Sequence, residues 1–157
     1  VMERKTKIDA PPGKQDLLIT REFDLPVELL FQAYVDPEVL AQWMGTKVVK
    51  LENRQHGSWQ FETYDPKGNL VFQAHGTIHR FEPNRQITRT FEMLQAPFDV
   101  QLEFLEFNAL TPETSMLKMQ VVYRSVEHRD NMLKLPFAQG INMAHQRLQE
   151  IFTRIKS

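Results

Sequence analysis

The feature that most constrains this chain is a change in its hydrophobic period. Across residues 46–125, apolar residues alternate with polar ones, a period of two that is typical of strands with one buried face. Turn-like sequences rich in Pro, Gly and Asn divide this stretch into six segments, at about 47–53, 57–64, 70–82, 86–95, 98–108 and 115–125. Short connections join antiparallel neighbours, because parallel strands need long crossovers. The sequence therefore predicts an antiparallel sheet.

The residues before this sheet predict one further strand and two short helices. Residues 17–24 alternate as a strand, and Pro26 begins a helical period. Asp36 and Pro37 end that helix and begin a second one, because Asp is a favoured N-cap and Pro suits a first helical turn. Gly45 predicts the end of the second helix.

The length of 157 residues fits one domain, which we assign to residues 17–157. Residues 1–16 are polar and include Pro11, Pro12 and Gly13, so they predict a flexible N-terminal arm, with room for a short strand near residues 6–9.

A long amphipathic helix ends the sequence. It begins at Pro136, after a short turn at residues 127–133, and its length is about 18 residues, or roughly 27 Å. Its apolar stripe consists of Phe137, Ile141, Ala144, Leu148, Ile151, Phe152 and Ile155. The predicted fold class is α+β, a curved antiparallel sheet of six to seven strands wrapped around this helix.

Two small residues on the inward side of this helix predict a void. Gly140 and Ala144 are four positions apart and share a helix face. Gly within a helix costs about 0.5–1 kcal/mol relative to Ala, so its presence needs a reason. Space for a ligand is one reason, and close packing of helix against sheet is the other.

Strand alternation predicts the sheet residues that face the helix, and the candidate ligand-binding residues come mainly from that face. The inward face of the fifth segment is predicted as Val100, Leu102 and Phe104. The complete predicted ligand-binding set is Trp43, Trp59, Phe61, Phe72, Gly76, Ile78, Arg89, Phe91, Phe104, Met119, Val121, Tyr123, Phe137, Gly140, Ile141, Ala144 and His145.

Arg89 and His145 each allow two interpretations. An inward Arg89 needs a partner, which is either an acidic group of the ligand or a protein carboxylate such as Glu62 or Glu103, unless the side chain extends to the rim. His145 either hydrogen-bonds the ligand or Tyr123, or lies at the rim of the cavity.

Three sequence segments carry a resemblance to a known superfamily. They are ITREFDLPVELLFQAYVDPEVLAQWMG (19–45), GSWQFETYDPKGN (57–69) and FQAHGTIHRFEPNRQITRTFE (72–92). They resemble the SRPBCC (START-like, Bet v1-like) superfamily, and within it the AHSA1-like family, named for the activator of Hsp90 ATPase homologue 1. The resemblance implies a helix-grip fold with an apolar cavity between the sheet and the C-terminal helix. It implies no single activity, since members are similar to ligand carriers, polyketide-handling proteins and co-chaperone domains.

Composition excludes several function classes. The chain has no Cys, which removes disulfides and zinc–thiolate sites and fits a cytoplasmic location. A net charge of -1 gives no field for nucleic acid, and no apolar run is long enough to span a membrane. His75 and His79 would lie about 13 Å apart on one strand, too far to share a metal. We expect no catalytic residue, metal ligand or cofactor.

The sequence therefore predicts non-enzymatic binding of an apolar small molecule or lipid. Two other functions stay open: an Hsp90 co-chaperone-like interaction domain, with a chaperone as partner, and a polyketide cyclase-like enzyme. The chain is expected to be a monomer or a homodimer.

Overall fold

The computed structural model describes residues 5–94 and 97–156, with side chains as far as Thr153. Within these ranges the chain forms eight strands and four helices. In chain order they are β1 (Lys7–Asp9), β2 (Asp16–Phe23), α1 (Val27–Val35), α2 (Pro37–Met44), β3 (Lys47–Leu51), β4 (Ser58–Tyr64), β5 (Leu70–Glu82), β6 (Gln86–Met93), β7 (Gln101–Thr111), β8 (Thr114–Val122), α3 (Val126–Leu133) and α4 (Phe137–Lys156).

The strands form one sheet in the order β1-β2-β8-β7-β6-β5-β4-β3, and every neighbouring pair is antiparallel. The predicted α+β helix-grip fold is confirmed, with eight strands in place of six or seven. Of the helices in the described ranges, none is both long and apolar enough to cross a membrane.

The additional strand is β1, which lies at the edge of the sheet. Ile8 pairs with Ile19 of β2, and the Thr6 N–H donates to Asn142 Oδ1 of α4 at 3.0 Å. This part of the predicted N-terminal arm is therefore held in the sheet. Residues 1–4 of the arm lie outside the described residues.

The two short helices end at the predicted residues for the predicted reasons. The Asp36 carboxylate accepts hydrogen bonds from the N–H groups of Glu38 and Val39, and Gly45 ends α2 in the left-handed conformation at φ 66°. Pro26 occupies the N-cap of α1 instead of its first turn. Trp43 Nε1 donates to the Ala33 carbonyl at 2.8 Å, which fixes α2 against α1.

The predicted inward face of β7 is wrong. Glu103, Leu105 and Phe107 are buried, whereas Val100 and Phe104 are among the exposed large apolar residues. Apolar residues occupy both faces of this strand, so alternation alone cannot fix its orientation, and a shift of one residue reverses every side chain. Leu105 lies opposite Ile87 and Met119, and Phe107 packs on Phe31 with ring centroids 5.0 Å apart.

Candidate functional site

A cavity of about 600 Å³ lies between the sheet and the first half of α4. Gly140 and Ala144 both line it. A Cβ atom added at Gly140 would meet no atom within 4 Å, so the glycine faces open space. Cavities of about 300–1,000 Å³ accommodate small organic ligands. The void that the two small residues predict is present.

Most of the predicted ligand-binding residues line this cavity. They are Trp43, Phe72, Arg89, Phe91, Met119, Val121, Tyr123, Phe137, Gly140, Ile141, Ala144 and His145.

The other predicted residues lie outside the lining, for different reasons. Trp59, Phe61 and Ile78 are buried in the packed core instead. Gly76 serves close strand packing, because a Cβ there would collide with the Thr90 carbonyl oxygen. Phe104 lies on the outer face of the sheet, in a surface groove with Leu18 and Lys118.

Sequence reasoning missed part of the lining. The missed residues are Ile19, Tyr34, Met44, Met93, Gln101, Glu103, Met132 and Pro136. Glu103 and Gln101 were missed because the wrong face of β7 was predicted to point inward. Met132 lies on α3, a helix that the sequence predicted only as a short turn. An abundance of Met in the composition was the available signal, since Met is a common lining residue of adaptable binding sites.

Burial divides the lining into two groups. Five polar or amphipathic side chains are buried: Tyr34, Arg89, Glu103, Tyr123 and His145. An apolar rim of half-buried side chains surrounds the more open part: Phe72, Phe91, Met93, Phe137 and Ile141. The cavity thus offers extensive apolar surface together with a small set of desolvated polar groups.

Arg89 and Glu103 form a buried ion pair across β6 and β7. Arg89 Nε donates to Glu103 Oε1 at 2.8 Å, and Gln101 Nε2 donates to Glu103 Oε2 at 2.8 Å. The Arg89 guanidinium also lies over the Trp59 ring, 5.2 Å from its centroid. The interpretation that Arg89 pairs with a protein carboxylate is therefore correct for its Nε atom. Its two terminal nitrogens have no hydrogen-bond partner among the described residues.

The two tyrosines keep their protons. Burial raises the Tyr123 pKa far above its ordinary value, and the nearby Glu103 charge raises it further. Burial also raises the pKa of Tyr34, although the Arg89 charge partly opposes this effect. The Tyr123 hydroxyl is buried and lacks a hydrogen-bond partner in the part of the chain that the structure describes. Both phenols are therefore neutral groups that can donate a hydrogen bond.

His145 is buried at 2% exposure, so its rim interpretation is wrong. Its Nδ1 lies 2.7 Å from Thr6 Oγ1, and its ring meets Phe23 edge-on at 5.6 Å. Burial lowers the pKa of His145 to about 3, and the Arg21 charge contributes to this shift. The imidazole is therefore uncharged at neutral pH, and its Nδ1 is used to hold the N-terminal segment against α4.

Comparison with known proteins identifies the family from the sequence and the fold from solved structures. The sequence model described as "Activator of Hsp90 ATPase homolog 1-like protein" matches residues 24–153. No curated protein matches the chain. A crystal structure of a Rhodobacter sphaeroides protein superimposes with a TM-score of 0.85 at 20% identity, covering 96% of this chain and 99% of that chain.

Two further solved structures are similar. A Mycobacterium smegmatis protein has a TM-score of 0.83 at 18% identity, covering 94% of this chain and 96% of its own. An Arthrobacter aurescens protein, solved by NMR, has a TM-score of 0.84 at 15% identity, covering 94% and 91% respectively. At such identities these likenesses show the fold alone.

Proposed function

We propose that this chain, which belongs to the activator of Hsp90 ATPase homolog 1-like family, binds an apolar small molecule or lipid without chemically altering it. The binding site is the cavity between the sheet and α4. The observation that carries the proposal is the void of about 600 Å³ that Gly140 and Ala144 both line, with open space beside the exposed Gly140.

The lining is suited to such a ligand. Burial of apolar ligand surface contributes about 25 cal/mol per Å². Four methionines, Met44, Met93, Met119 and Met132, line the cavity and provide adaptable apolar contacts. The walls are secondary-structure elements that already stand apart, so little reorganisation is needed before a ligand enters.

Fluorescence titration with Nile red, an uncharged apolar dye, tests the proposal. The wild-type chain should bind the dye with an increase in fluorescence. Gly140→Trp should abolish this signal, because the indole would fill the void. Met143→Trp is the matched control: Met143 lies on the same helix, is 52% exposed and is not part of the lining, so dye binding should persist. Equal dye binding by all three proteins would count against the cavity as the site.

Native mass spectrometry of the protein purified from cells provides a second test. A retained ligand should appear as a mass increment that disappears in Gly140→Trp and persists in Met143→Trp. An increment that survives in Gly140→Trp would place the bound molecule elsewhere on the chain.

The family description favours a chaperone-related role as a second candidate. This function predicts that the chain stimulates the ATPase of a purified Hsp90-type chaperone. If the wild-type chain and Gly140→Trp stimulate the chaperone ATPase equally, the cavity is not needed for that role. If the chaperone is active but is not stimulated, the second candidate is removed.

A further inference from the structure

The cavity wall contains several hydrogen-bond donors for which the described residues provide no acceptor. Arg89 is 8% exposed, and its terminal nitrogens have no partner among the described residues. Tyr123 is 6% exposed, and its hydroxyl is also unpartnered in the same part of the chain. Tyr34 is 6% exposed, and the structure gives its hydroxyl no described partner. Buried polar groups in folded proteins are almost always satisfied, so the fully buried Tyr123 hydroxyl requires an acceptor, and Arg89 and Tyr34 add further donors to the same cavity wall.

Tyr34, Arg89, Tyr123 and Glu103 line the same cavity and form one polar cluster in its wall. Within this cluster, Arg89 contacts Glu103 directly. Both Glu103 oxygens already accept hydrogen bonds, one from Arg89 and one from Gln101. The cluster therefore presents donors to the cavity, while its carboxylate is occupied within the protein.

The charge of the cluster decides which kind of acceptor fits. Arg89 and Glu103 together are neutral, and both side chains are almost completely desolvated, at 10% and 3% exposure. A ligand carboxylate would add an uncompensated negative charge next to Glu103, which is costly in a buried site. Tyr123 agrees with this charge argument, because burial and then the Glu103 charge raise the pKa of its hydroxyl, and the opposing effect of Arg129 is smaller. An uncharged oxygen acceptor avoids this cost.

Resting on the proposed binding function, we infer that the ligand is an uncharged apolar molecule with a carbonyl oxygen, which Arg89, Tyr34 and Tyr123 hydrogen-bond inside the cavity. The matching chemical classes are ketones, esters, lactones and quinones. The apolar rim would bury the hydrocarbon part of the same molecule, since Phe72, Phe91 and Ile141 line the more open part. Free fatty acids and other carboxylates belong to the classes that this site disfavours.

Three naphthalenes of similar shape test this inference by displacement of Nile red. They are 2-acetylnaphthalene, which has a carbonyl oxygen, 2-isopropenylnaphthalene, which replaces that oxygen by carbon, and 2-naphthoate, which carries a negative charge. A hydrogen bond from a charged donor is expected to make the ketone bind about tenfold more tightly than the hydrocarbon. The carboxylate should bind more weakly than the ketone at neutral pH and improve as acid protonates it.

Two variants locate the preference within the cluster. Tyr123→Phe should weaken binding of 2-acetylnaphthalene several-fold and leave 2-isopropenylnaphthalene unchanged, because only the hydroxyl is lost. Tyr64→Phe is the matched control, since Tyr64 is 46% exposed and lies outside the lining. Joint replacement of Arg89→Met and Glu103→Gln removes both charges together and should abolish the preference for the ketone over the hydrocarbon.

Three results would overturn the inference: equal affinity for ketone and hydrocarbon, tightest binding of 2-naphthoate, or a ketone preference unaffected by either variant. Failure of every naphthalene to displace bound Nile red would do the same, because the donors would then be inaccessible. If Nile red itself fails to bind, the proposed function falls together with this inference. Dye binding without a ketone preference removes the inference alone.

Discussion

The two halves of α4 differ in what their side chains do against the sheet. In the first half, Gly140 faces open space and Ile141 is only half-buried. In the second half, Leu148 and Phe152 are buried at 0% and 3% exposure. Arg147 Nε also donates to the Trp43 carbonyl at 2.9 Å, which ties the second half to α2. One continuous helix thus provides packing at one end and a cavity wall at the other.

This difference follows from side-chain size and from what lies opposite. Where large apolar side chains point inward, they fill the space between α4, α1 and α2 and contribute to the core. Where Gly140 and Ala144 point inward, they leave room that the sheet does not fill. We therefore expect that changes around the second half affect mainly stability, whereas changes in the first half affect mainly binding.

The largest loss of unfolding free energy is expected at Arg89, on the sheet opposite the first half of α4. Arg89→Met would leave the Glu103 carboxylate buried and without its cationic partner, which should cost about 3–5 kcal/mol of unfolding free energy. Joint replacement of Arg89→Met and Glu103→Gln should recover most of that loss, as measured by urea denaturation. If the single variant is as stable as wild type, the pair is not the desolvated ion pair described above.

Truncation of one apolar side chain in each half of α4 tests whether the halves have different roles. Leu148→Ala should cost about 2–5 kcal/mol, because it creates a void in a packed region, and should leave Nile red affinity nearly unchanged. Ile141→Ala should cost less, because Ile141 already borders open space, and should weaken dye binding. Equal losses of stability in the two variants would mean that the halves do not differ.

His145 lies where the two halves meet, and it predicts a pH dependence. Its pKa is lowered from 6.5 to about 3 in the folded state, so below pH 6.5 the unfolded chain binds a proton that the folded chain does not. The contribution of neutral His145 to the unfolding free energy is fully present above pH 6.5. It falls as the pH decreases towards 3, by up to about 1.4 kcal/mol per pH unit.

Measurement of unfolding free energy against pH tests this expectation. His145→Gln keeps a polar side chain within reach of Thr6. Between pH 6.5 and about 3, the slope of its unfolding free energy against pH should decrease by the contribution of up to one bound proton. An unchanged slope in this variant would mean that other groups cause the acid sensitivity.

A small change in stability is expected when Gly140 gains a methyl group. Gly140→Ala should stabilise the chain by about 0.5–1 kcal/mol, because the added Cβ meets no atom and the unfolded chain loses freedom. Nile red should still bind, since one methyl group fills little of the void. A loss of stability in thermal denaturation would show that the space beside Gly140 is smaller than described.

Local signals in the sequence predicted most of the fold. Asp36, Pro37 and Gly45 define α2 through interactions with their immediate neighbours, so capping rules are sufficient there. The void at Gly140 could also be predicted, because a glycine inside an amphipathic helix has few explanations.

The features that the sequence did not predict depend on contacts between distant residues. The orientation of β7 is set by its neighbours β6 and β8. Glu103 faces inward beside Arg89, although the sequence of β7 alone is equally compatible with the opposite orientation. The buried His145 contacts Thr6 and Phe23, which are both far away in sequence. The polar groups of the cavity were therefore the least predictable part of the site.

The methionine methyl groups can report where Nile red binds. Met44, Met93, Met119 and Met132 line the cavity, whereas Met116 and Met143 do not. In an NMR spectrum of ¹³C-methyl-labelled methionine, saturating Nile red should shift the signals of the first four and leave those of Met116 and Met143 in place. Shifts confined to Met116 and Met143, with the four cavity signals unchanged, would contradict the account.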